Sequence, residues 1–355
     1  MSYRHVRSVH FWITAIAGIP LVLLSITGAL LVFGTEIDEL LEPGLHHVAV
    51  AGQPLGFAAI LDRLAEQLPD LRAWSITAGT EADDAWTVWL AKGAGVVHFD
   101  PYTGTVLAHR PTHASFNGII TAFHRWWLSE GAARPIIRHA ISATALLLML
   151  QVIVGVWLWS IPPRPWKRLA LRFRGRVGLM RLHQLTGLLT GLILMLMAFT
   201  GMSLHWHGPT KGLVEWASGS EIAEPPEPAT EGLRPLSDLD VAVALGRSAA
   251  PELRLRYIRV PAAPGKPVVV TLGETPRSPP VEAWVGDDPP RLLAVYDRRH
   301  ASIAEWFWHL RYWLHVGDFA GPAVRALWVI IALLPTAFVT TGILLHLGRR
   351  RRRRS

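Results

Sequence analysis

The chain of 355 residues contains no cysteine. This absence excludes thiolate-bound metals, iron–sulfur clusters and disulfide bonds, so any bound metal has to take histidine, carboxylate or methionine ligands. Several catalytic motifs are also missing. No glycine-rich dinucleotide-binding turn follows a predicted strand, and neither a phosphate-binding loop nor a His-Glu-x-x-His motif is present. A hydrolase or an ATPase would therefore lack the residues that its chemistry needs.

Four long apolar runs are the most prominent feature that the sequence does contain. Each run has more than 20 residues and can cross about 30 Å of hydrocarbon as a helix. The first run is too long for a cleaved signal peptide, and no Ala-x-Ala site follows it. The runs comprise residues 11–33, 136–160, 182–206 and 322–347.

Acidic residues are missing from the N-terminus, from residues 161–181 and from residues 349–354, all of which are rich in arginine. All 27 Asp and Glu lie in the two longer connections, residues 34–135 and 207–321. Since Lys and Arg concentrate on the cytoplasmic side of membrane proteins, we expect both termini and the short basic loop in the cytoplasm. The long connections then face the periplasm of a bacterium. The net charge of +8 is on this interpretation a signal of topology and not of nucleic-acid binding.

Each long connection is predicted to contain a helix followed by a small antiparallel sheet, which is an α+β module. In the first connection, residues 55–68 have apolar side chains at helical spacing, and a turn at residues 100–104 separates two alternating strands within residues 96–107. In the second, residues 239–249 form the predicted helix, and the turn after Tyr296 lacks the Pro-Tyr-Thr-Gly sequence of the first. The other predicted strands are residues 74–77, 86–90, 254–260, 266–272, 281–285 and 292–296.

The first and third apolar runs share a pattern that indicates an internal repeat. His10 precedes a Thr-Gly pair by 17 residues, and His183 precedes a second Thr-Gly pair by the same interval. Because an ionisable side chain inside a membrane is costly, each histidine needs a partner such as a metal, a cofactor or a counter-charge. The glycines of the two pairs, Gly28 and Gly201, allow either close helix packing or room for a flat cofactor.

Five short segments, taken in order, carry a resemblance to a known family. They are the basic start of the first run with His10, the turn at residues 100–104, the aromatic residues 123–127, and residues 181–183 and 314–317. Together they resemble the PepSY-associated transmembrane family of bacteria. Members of that family include iron-regulated inner-membrane proteins, and some of these are haem-containing ferric-siderophore reductases. The resemblance implies a four-helix membrane core that carries haem, with PepSY-like domains outside the membrane.

The predicted fold class is therefore membrane α with periplasmic α+β. A bundle of four transmembrane helices forms two pseudo-repeats, each with a PepSY-like domain in its periplasmic connection. The predicted order along the chain is an N-terminus with the first span (1–35), a first PepSY-like domain (36–115), an interfacial helix with the second span (116–160), a basic loop (161–181), the third span (182–206), a degenerate PepSY-like domain (207–305), an interfacial segment with the fourth span (306–347) and a poly-Arg tail (348–355).

His10 and His183 are predicted to be axial ligands of one haem iron. The first and third spans run parallel, and the two side chains hold equivalent places in the repeat, so the two imidazoles point towards one position between the helices. Neutral imidazole is a good ligand for haem iron. The alternative is that each histidine reaches the membrane surface or forms a hydrogen bond between helices.

A second pair of ligands is expected near the opposite membrane surface. The repeat matches His124 with His315, whereas His139 is an equally good candidate because it lies in the first turn of the second span. The sequence does not select two of these three. Further candidates are His205, His207 and His309. The arginines at the ends of spans that could pair with haem propionates are Arg7, Arg138, Arg181 and Arg325.

These predictions describe a haem-dependent reductase of the bacterial inner membrane, with no catalytic residue beyond the haem. Two bis-histidine b haems near opposite ends of helices about 36 Å long would allow an electron to cross the bilayer. The expected acceptor is a ferric siderophore in the periplasm, and the donor is a cytoplasmic reductase, a reduced flavin or a quinol. Two alternatives remain: a scaffold that displays PepSY domains to regulate a peptidase, and a transporter of iron complexes without redox chemistry.

Overall fold

The computed structural model contains four helices that are long and apolar enough to cross a membrane. Most of the predicted basic loop (161–181) and the end of the poly-Arg tail (348–355) lie outside the described residues. The structure describes residues 2–161, 175–226, 228–261 and 263–351.

Within the described residues there are ten α-helices and eight strands. The helices are α1 (Tyr3–Leu31), α2 (Gly34–Leu41), α3 (Phe57–Gln67), α4 (Phe116–Trp126), α5 (Ala133–Ser160), α6 (Gly175–Ser203), α7 (His207–Ser218), α8 (Leu239–Arg247), α9 (Ile303–Val316) and α10 (Pro322–Arg351). The strands are β1 (Ala73–Thr77), β2 (Trp86–Leu90), β3 (Val96–Phe99), β4 (Val106–Arg110), β5 (Arg254–Arg259), β6 (Val268–Gly273), β7 (Val281–Gly286) and β8 (Arg291–Asp297).

The chain folds into two compact units. The membrane unit comprises Met1–Gly34, Ile120–Ala217 and Leu310–Ser355, and the sheet unit comprises Thr35–Ile119 and Ser218–His309. Each unit therefore takes its residues from both halves of the sequence. The two connections that were predicted as separate α+β modules contribute to a single compact unit.

The membrane unit is built on α1, α5, α6 and α10, whose apolar windows have mean hydropathies of 1.9 to 2.2. Both α1 and α6 pack against α5 and against α10, so the four helices close a ring with α1 and α6 at opposite corners. The helices α1 and α6 begin about two turns before the apolar runs at residues 11 and 182, because Arg, His and Leu are compatible with a helix outside the hydrocarbon. His10 and His183 consequently lie inside these helices and not at their first residues.

The sheet unit contains one antiparallel sheet of eight strands in the order β4-β3-β2-β1-β5-β6-β7-β8. Two four-stranded meanders meet at β1 and β5, where Ser75 pairs with Arg259 and Ile76 with Ile258. This pairing covers the edge strand that each meander would otherwise expose. The helices α3 and α8 pack on the sheet through a core that includes the fully buried Ile60. The predicted turn is present, and in it the Asp100 carboxylate accepts a hydrogen bond from the backbone of the residue after Pro101.

One helix of the described structure was not predicted. The segment that was assigned to the second α+β domain from residue 207 onward begins with α7, a helix of 12 residues. Its hydrophobic residues are few, and the ion pair between Lys211 and Glu215, one turn apart, gave only a weak signal. The first 11 residues of α7 belong to the membrane unit, so the boundary predicted at residue 207 differs from the boundary after Ala217 in the structure.

Candidate metal centre

His10 of α1 and His183 of α6 meet across the centre of the helix ring. Their ring centroids are 6.4 Å apart, and the ring planes cross at 80°. A metal–imidazole bond is about 2 Å long and the ring centre lies about 1.1 Å beyond the nitrogen, so two imidazoles on opposite sides of one metal have centroids about 6.3 Å apart. The spacing of this pair therefore matches two axial ligands of one metal.

His124 of α4 and His315 of α9 form a second pair with nearly the same geometry. Their ring centroids are 6.2 Å apart, and the ring planes cross at 51°. The angle between the planes is free in a six-coordinate metal centre, because each ring can rotate about its own bond to the metal. Of the three candidates for the outer pair, the structure thus brings together His124 and His315.

The surrounding hydrogen bonds set the tautomer of two of these rings. His315 Nδ1 lies 2.9 Å from the Met197 carbonyl oxygen, which can only accept, so Nδ1 carries the proton and Nε2 keeps a lone pair. His183 Nδ1 lies 2.7 Å from Thr341 Oγ1. The Thr341 hydroxyl donates to the Ala337 carbonyl at 2.8 Å and therefore accepts from His183. In both rings Nε2 is the nitrogen available to a metal.

His124 has the same arrangement. Its Nδ1 lies 2.8 Å from Thr27 Oγ1, and the Thr27 hydroxyl donates to the Leu23 carbonyl at 2.7 Å. Threonine hydroxyls in helices commonly donate to the carbonyl one turn earlier, which leaves the oxygen lone pair for a neighbour. Three of the four imidazoles are therefore held by Nδ1 in the tautomer that suits metal ligation.

His10 differs from the other three histidines because its Nδ1 is buried without a hydrogen-bond partner among the described residues. The corresponding position of the other half explains this difference. His183 is bonded by Thr341 of α10, whereas the equivalent Thr-Gly position of α5 is Val154-Gly155 and has no hydroxyl. Gly155 does face the ring, since a Cβ there would lie 3.4 Å from His10 Cε1.

The glycines of the two Thr-Gly pairs make room for imidazole rings. A Cβ at Gly28 would lie 3.3 Å from His124 Cε1, and a Cβ at Gly201 would lie only 2.5 Å from His315 Cε1. Each glycine of α1 and α6 therefore admits a histidine of the second pair. Of the two roles considered for these glycines, the structure shows close approach of a neighbouring element, and that element carries the candidate ligand.

The direction of α1 and α6 follows from these contacts. His10 near the start of α1 meets His183 near the start of α6, and Gly28 and Gly201 near their ends contact the two rings of the second pair. The two helices thus run parallel, as predicted. An interval of 17 residues corresponds to about 26 Å along a helix, so the two pairs lie near opposite ends of the membrane unit.

A cavity of about 560 Å³ surrounds the first pair, a volume within the usual range of small-molecule sites. Buried polar atoms without a partner are costly, and several line this cavity. They are His10 Nδ1, Gln151 Oε1, Trp159 Nε1, Arg176 Nε and Gln184 Oε1. A cavity with this lining fits a large apolar ligand that also carries polar groups.

The family was then identified by comparison with known proteins. A family model described as PepSY-associated TM region matches residues 7–349. The chain belongs to this family. No curated protein matches the sequence.

The four arginines that were predicted near the haems in this PepSY-associated TM protein occupy different surroundings. Arg7 lines the cavity, together with Arg4 and Arg176, which the sequence did not single out. Arg325 donates to the Val32 carbonyl, with Nε at 3.2 Å. The other two predicted arginines are Arg138, next to His205, and Arg181, which is absent from the cavity lining.

His139 pairs with His205 instead of joining the second metal candidate. Their ring centroids are 4.7 Å apart, which is too close for two imidazoles on opposite sides of a metal. His139 Nδ1 accepts a hydrogen bond of 2.9 Å from the Trp206 indole. His207 is the first residue of α7, and His309 belongs to the sheet unit.

A further group with metal-binding side chains was missed by the sequence reasoning, which assigned no role to His47. In the sheet unit His47 Nδ1 lies 3.3 Å from Asp83 Oδ2 and 4.0 Å from Asp84 Oδ1. The three side chains could hold a metal ion, and His47 and Asp83 are exposed. The β-bridge between His47 and Asp84 brings together residues that are 37 positions apart in the sequence. No local pattern reveals such a pairing.

Proposed function

We propose that this protein is a haem-dependent reductase of the bacterial inner membrane, which passes electrons from the cytoplasmic side to a ferric chelate in the periplasm. The observation that supports this function best is that the histidines form two imidazole pairs, with ring centroids 6.4 and 6.2 Å apart. The two pairs lie near opposite ends of α1 and α6. Hydrogen bonding between helices is enough to explain a single imidazole pair. Two pairs with nearly the same spacing are best explained by two metal centres.

In this proposal His10 and His183 hold one b-type haem, and His124 and His315 hold the other. Haem held by these histidines would supply one-electron transfer. The residues of the chain orient the imidazoles. Thr341 accepts the Nδ1 proton of His183, and the hydroxyl of Thr27 does the same for His124, so Nε2 of each ring keeps its lone pair for a metal.

The proposed direction of electron flow rests on the distribution of charge. The first pair shares its cavity with Arg4, Arg7 and Arg176, which the positive-inside rule assigns to the cytoplasm. A reductase, a reduced flavin or a quinol would deliver electrons at that end. The sheet unit, which contains most of the acidic residues, would then lie in the periplasm, where a ferric siderophore is reduced. Ferrous iron is a softer cation and binds hard oxygen ligands less tightly, so its release follows.

The absorption spectrum of the purified protein, oxidised and then reduced with dithionite, tests this function. We expect sharp low-spin bands and a haem-to-protein ratio near two. Alanine at His10 and His183 should remove one haem and leave the other. A colourless protein from a host supplied with haem precursors would contradict the proposal and favour a scaffold that regulates a peptidase. Uptake of an iron complex without a change of oxidation state would favour a transporter.

A further inference from the structure

A second group of titratable side chains lies at the same end of the membrane unit as the His124–His315 pair. Arg138 and His139 lie in the second turn of α5, His205 follows the end of α6, and Arg125 follows His124 in α4. The electrostatic neighbours of His205 are Arg138, His139 and Arg125, and all of these are basic or imidazole groups. Burial, together with these neighbours, lowers the pKa of His205.

Two guanidinium groups of this set lie close enough to repel each other. The charge of Arg138 acts on Arg125, and no described acid is among the groups that act on Arg125. The described acids of the membrane unit are Glu130, Glu215 and Asp318; Glu215 is near Lys211, and Asp318 is 3.9 Å from Arg325. The repulsion between Arg125 and Arg138 favours an anion beside them.

The hydrogen-bonding capacity of the group is also one-sided. His139 Nδ1 accepts from Trp206, so the proton of this neutral ring is on Nε2, which is a donor. His205 Nε2 is buried without a partner among the described residues. His139 Nε2 and the two guanidinium groups therefore form an array of donors, and His205 Nε2 beside them also needs a partner. Oxyanions, and carboxylates above all, are the ligands that such an array recognises.

We propose that Arg125, Arg138, His139 and His205 form an oxyanion site that takes a carboxylate next to the His124–His315 pair. The carboxylate can come from a haem propionate or from an acidic ferric chelate. Only the identity of this source rests on the proposed reductase function. The site itself follows from the charges and donors of the membrane unit.

Calorimetric titration with citrate, a small soluble carboxylate, tests the site in nanodiscs of zwitterionic lipid. The protein is prepared haem-free, from a host deprived of haem precursors, and haem-loaded. We expect the haem-free protein to bind citrate and Arg138→Gln to weaken this binding roughly tenfold or more. Arg134→Gln is the matched control on the same segment. Arg134 donates to the Ser129 carbonyl and stacks on Trp126 at 4.9 Å, the ring that Arg125 also contacts at 5.4 Å, so we expect a loss well below tenfold.

The haem-loaded protein distinguishes the two sources. Retained citrate binding assigns the site to the chelate, whereas loss of binding assigns it to a propionate, and Arg138→Gln should then also shift the reduction potential of one haem. If the haem-free protein does not bind citrate, or if Arg134→Gln weakens binding as much as Arg138→Gln, the oxyanion site is refuted. Citrate binding to a protein that never acquires haem would support the site while the reductase proposal fails.

Discussion

The contact between Gly201 and His315 gives the sharpest test of the second imidazole pair. The Cβ of an alanine at residue 201 would lie 2.5 Å from Cε1 and 3.0 Å from Nδ1 of His315. Ordinary contact needs about 3.4 Å or more, so the ring has to move by about 1 Å. The present centroid separation of 6.2 Å matches the roughly 6.3 Å of two imidazoles on one metal, so a shift of this size disturbs that match.

Alanine variants of two other glycines serve as comparisons for Gly201→Ala. A Cβ at Gly28 would lie 3.3 Å from His124 Cε1, a contact that a small adjustment relieves, whereas a Cβ at Gly18 would lie 3.4 Å from Val339 Cγ1, an ordinary contact away from the four histidines. All three are glycine-to-alanine changes inside or beside a long helix, and alanine favours a helix by about 1 kcal/mol over glycine. Helix propensity therefore predicts stabilisation in each case, and only the contact with histidine separates them.

The assay is the haem content of each purified variant together with its thermal unfolding. We expect Gly18→Ala to keep two haems, Gly28→Ala to keep two with an altered spectrum of one, and Gly201→Ala to lose one. The overpacking should cost Gly201→Ala about 1–3 kcal/mol in the absence of haem. If Gly201→Ala retains both haems with an unchanged spectrum, His315 is not a ligand and the argument from ring spacing fails.

Three other predictions follow from contacts described above. Val154→Thr should supply the missing acceptor for the first pair and lower the reduction potential of its haem, because an Nδ1 hydrogen bond makes imidazole more basic; Thr341→Val should raise it, and redox titration measures both. The Arg110 guanidinium holds the pKa of Glu42 below its usual range, so this pair stabilises the sheet unit above the ordinary carboxyl pKa and less as pH falls through the lowered value. The Glu42→Gln variant should therefore lose less thermal stability than the unchanged protein when the pH is lowered. A variant whose unfolding temperature depends on pH as that of the unchanged protein does would contradict this prediction. Ile258→Ala, at a fully buried position, should cost about 2–5 kcal/mol in chemical denaturation; a cost below 1 kcal/mol would show that the β1–β5 junction is not part of the core.

The sequence predicted the elements of the sheet unit more accurately than their arrangement. The predicted strand at residues 86–90 is β2, and the helix predicted at residues 55–68 is α3 with one or two residues fewer at each end. These elements follow local alternation and turn residues. The pairing of β1 with β5 joins residues about 180 positions apart, and no local pattern specifies which strand will cover an exposed edge.

The candidate site shows the same division. The matching places of His10 and His183 predicted their pairing, and the repeat also offered His124 with His315. Periodicity could not reject His139 as a ligand of the outer pair. That choice depends on the contacts of His124 in α4 with α1 and of His315 in α9 with α6. The orphaned Nδ1 of His10 was equally hidden, since it depends on the absence of one hydroxyl at Val154 of a neighbouring helix.

The helices α1 and α6 each contact both imidazole pairs, with a histidine near one end and a glycine near the other. The number of residues between the histidine and the glycine is therefore fixed. An added or deleted residue between His10 and Gly28 would rotate one contact by about 100° relative to the other and shift it by about 1.5 Å along the axis. Either His10 or Gly28 would then face away from its imidazole partner. Insertions or deletions of single residues are therefore not tolerated in this interval, whereas the connections between strands are under no such restriction.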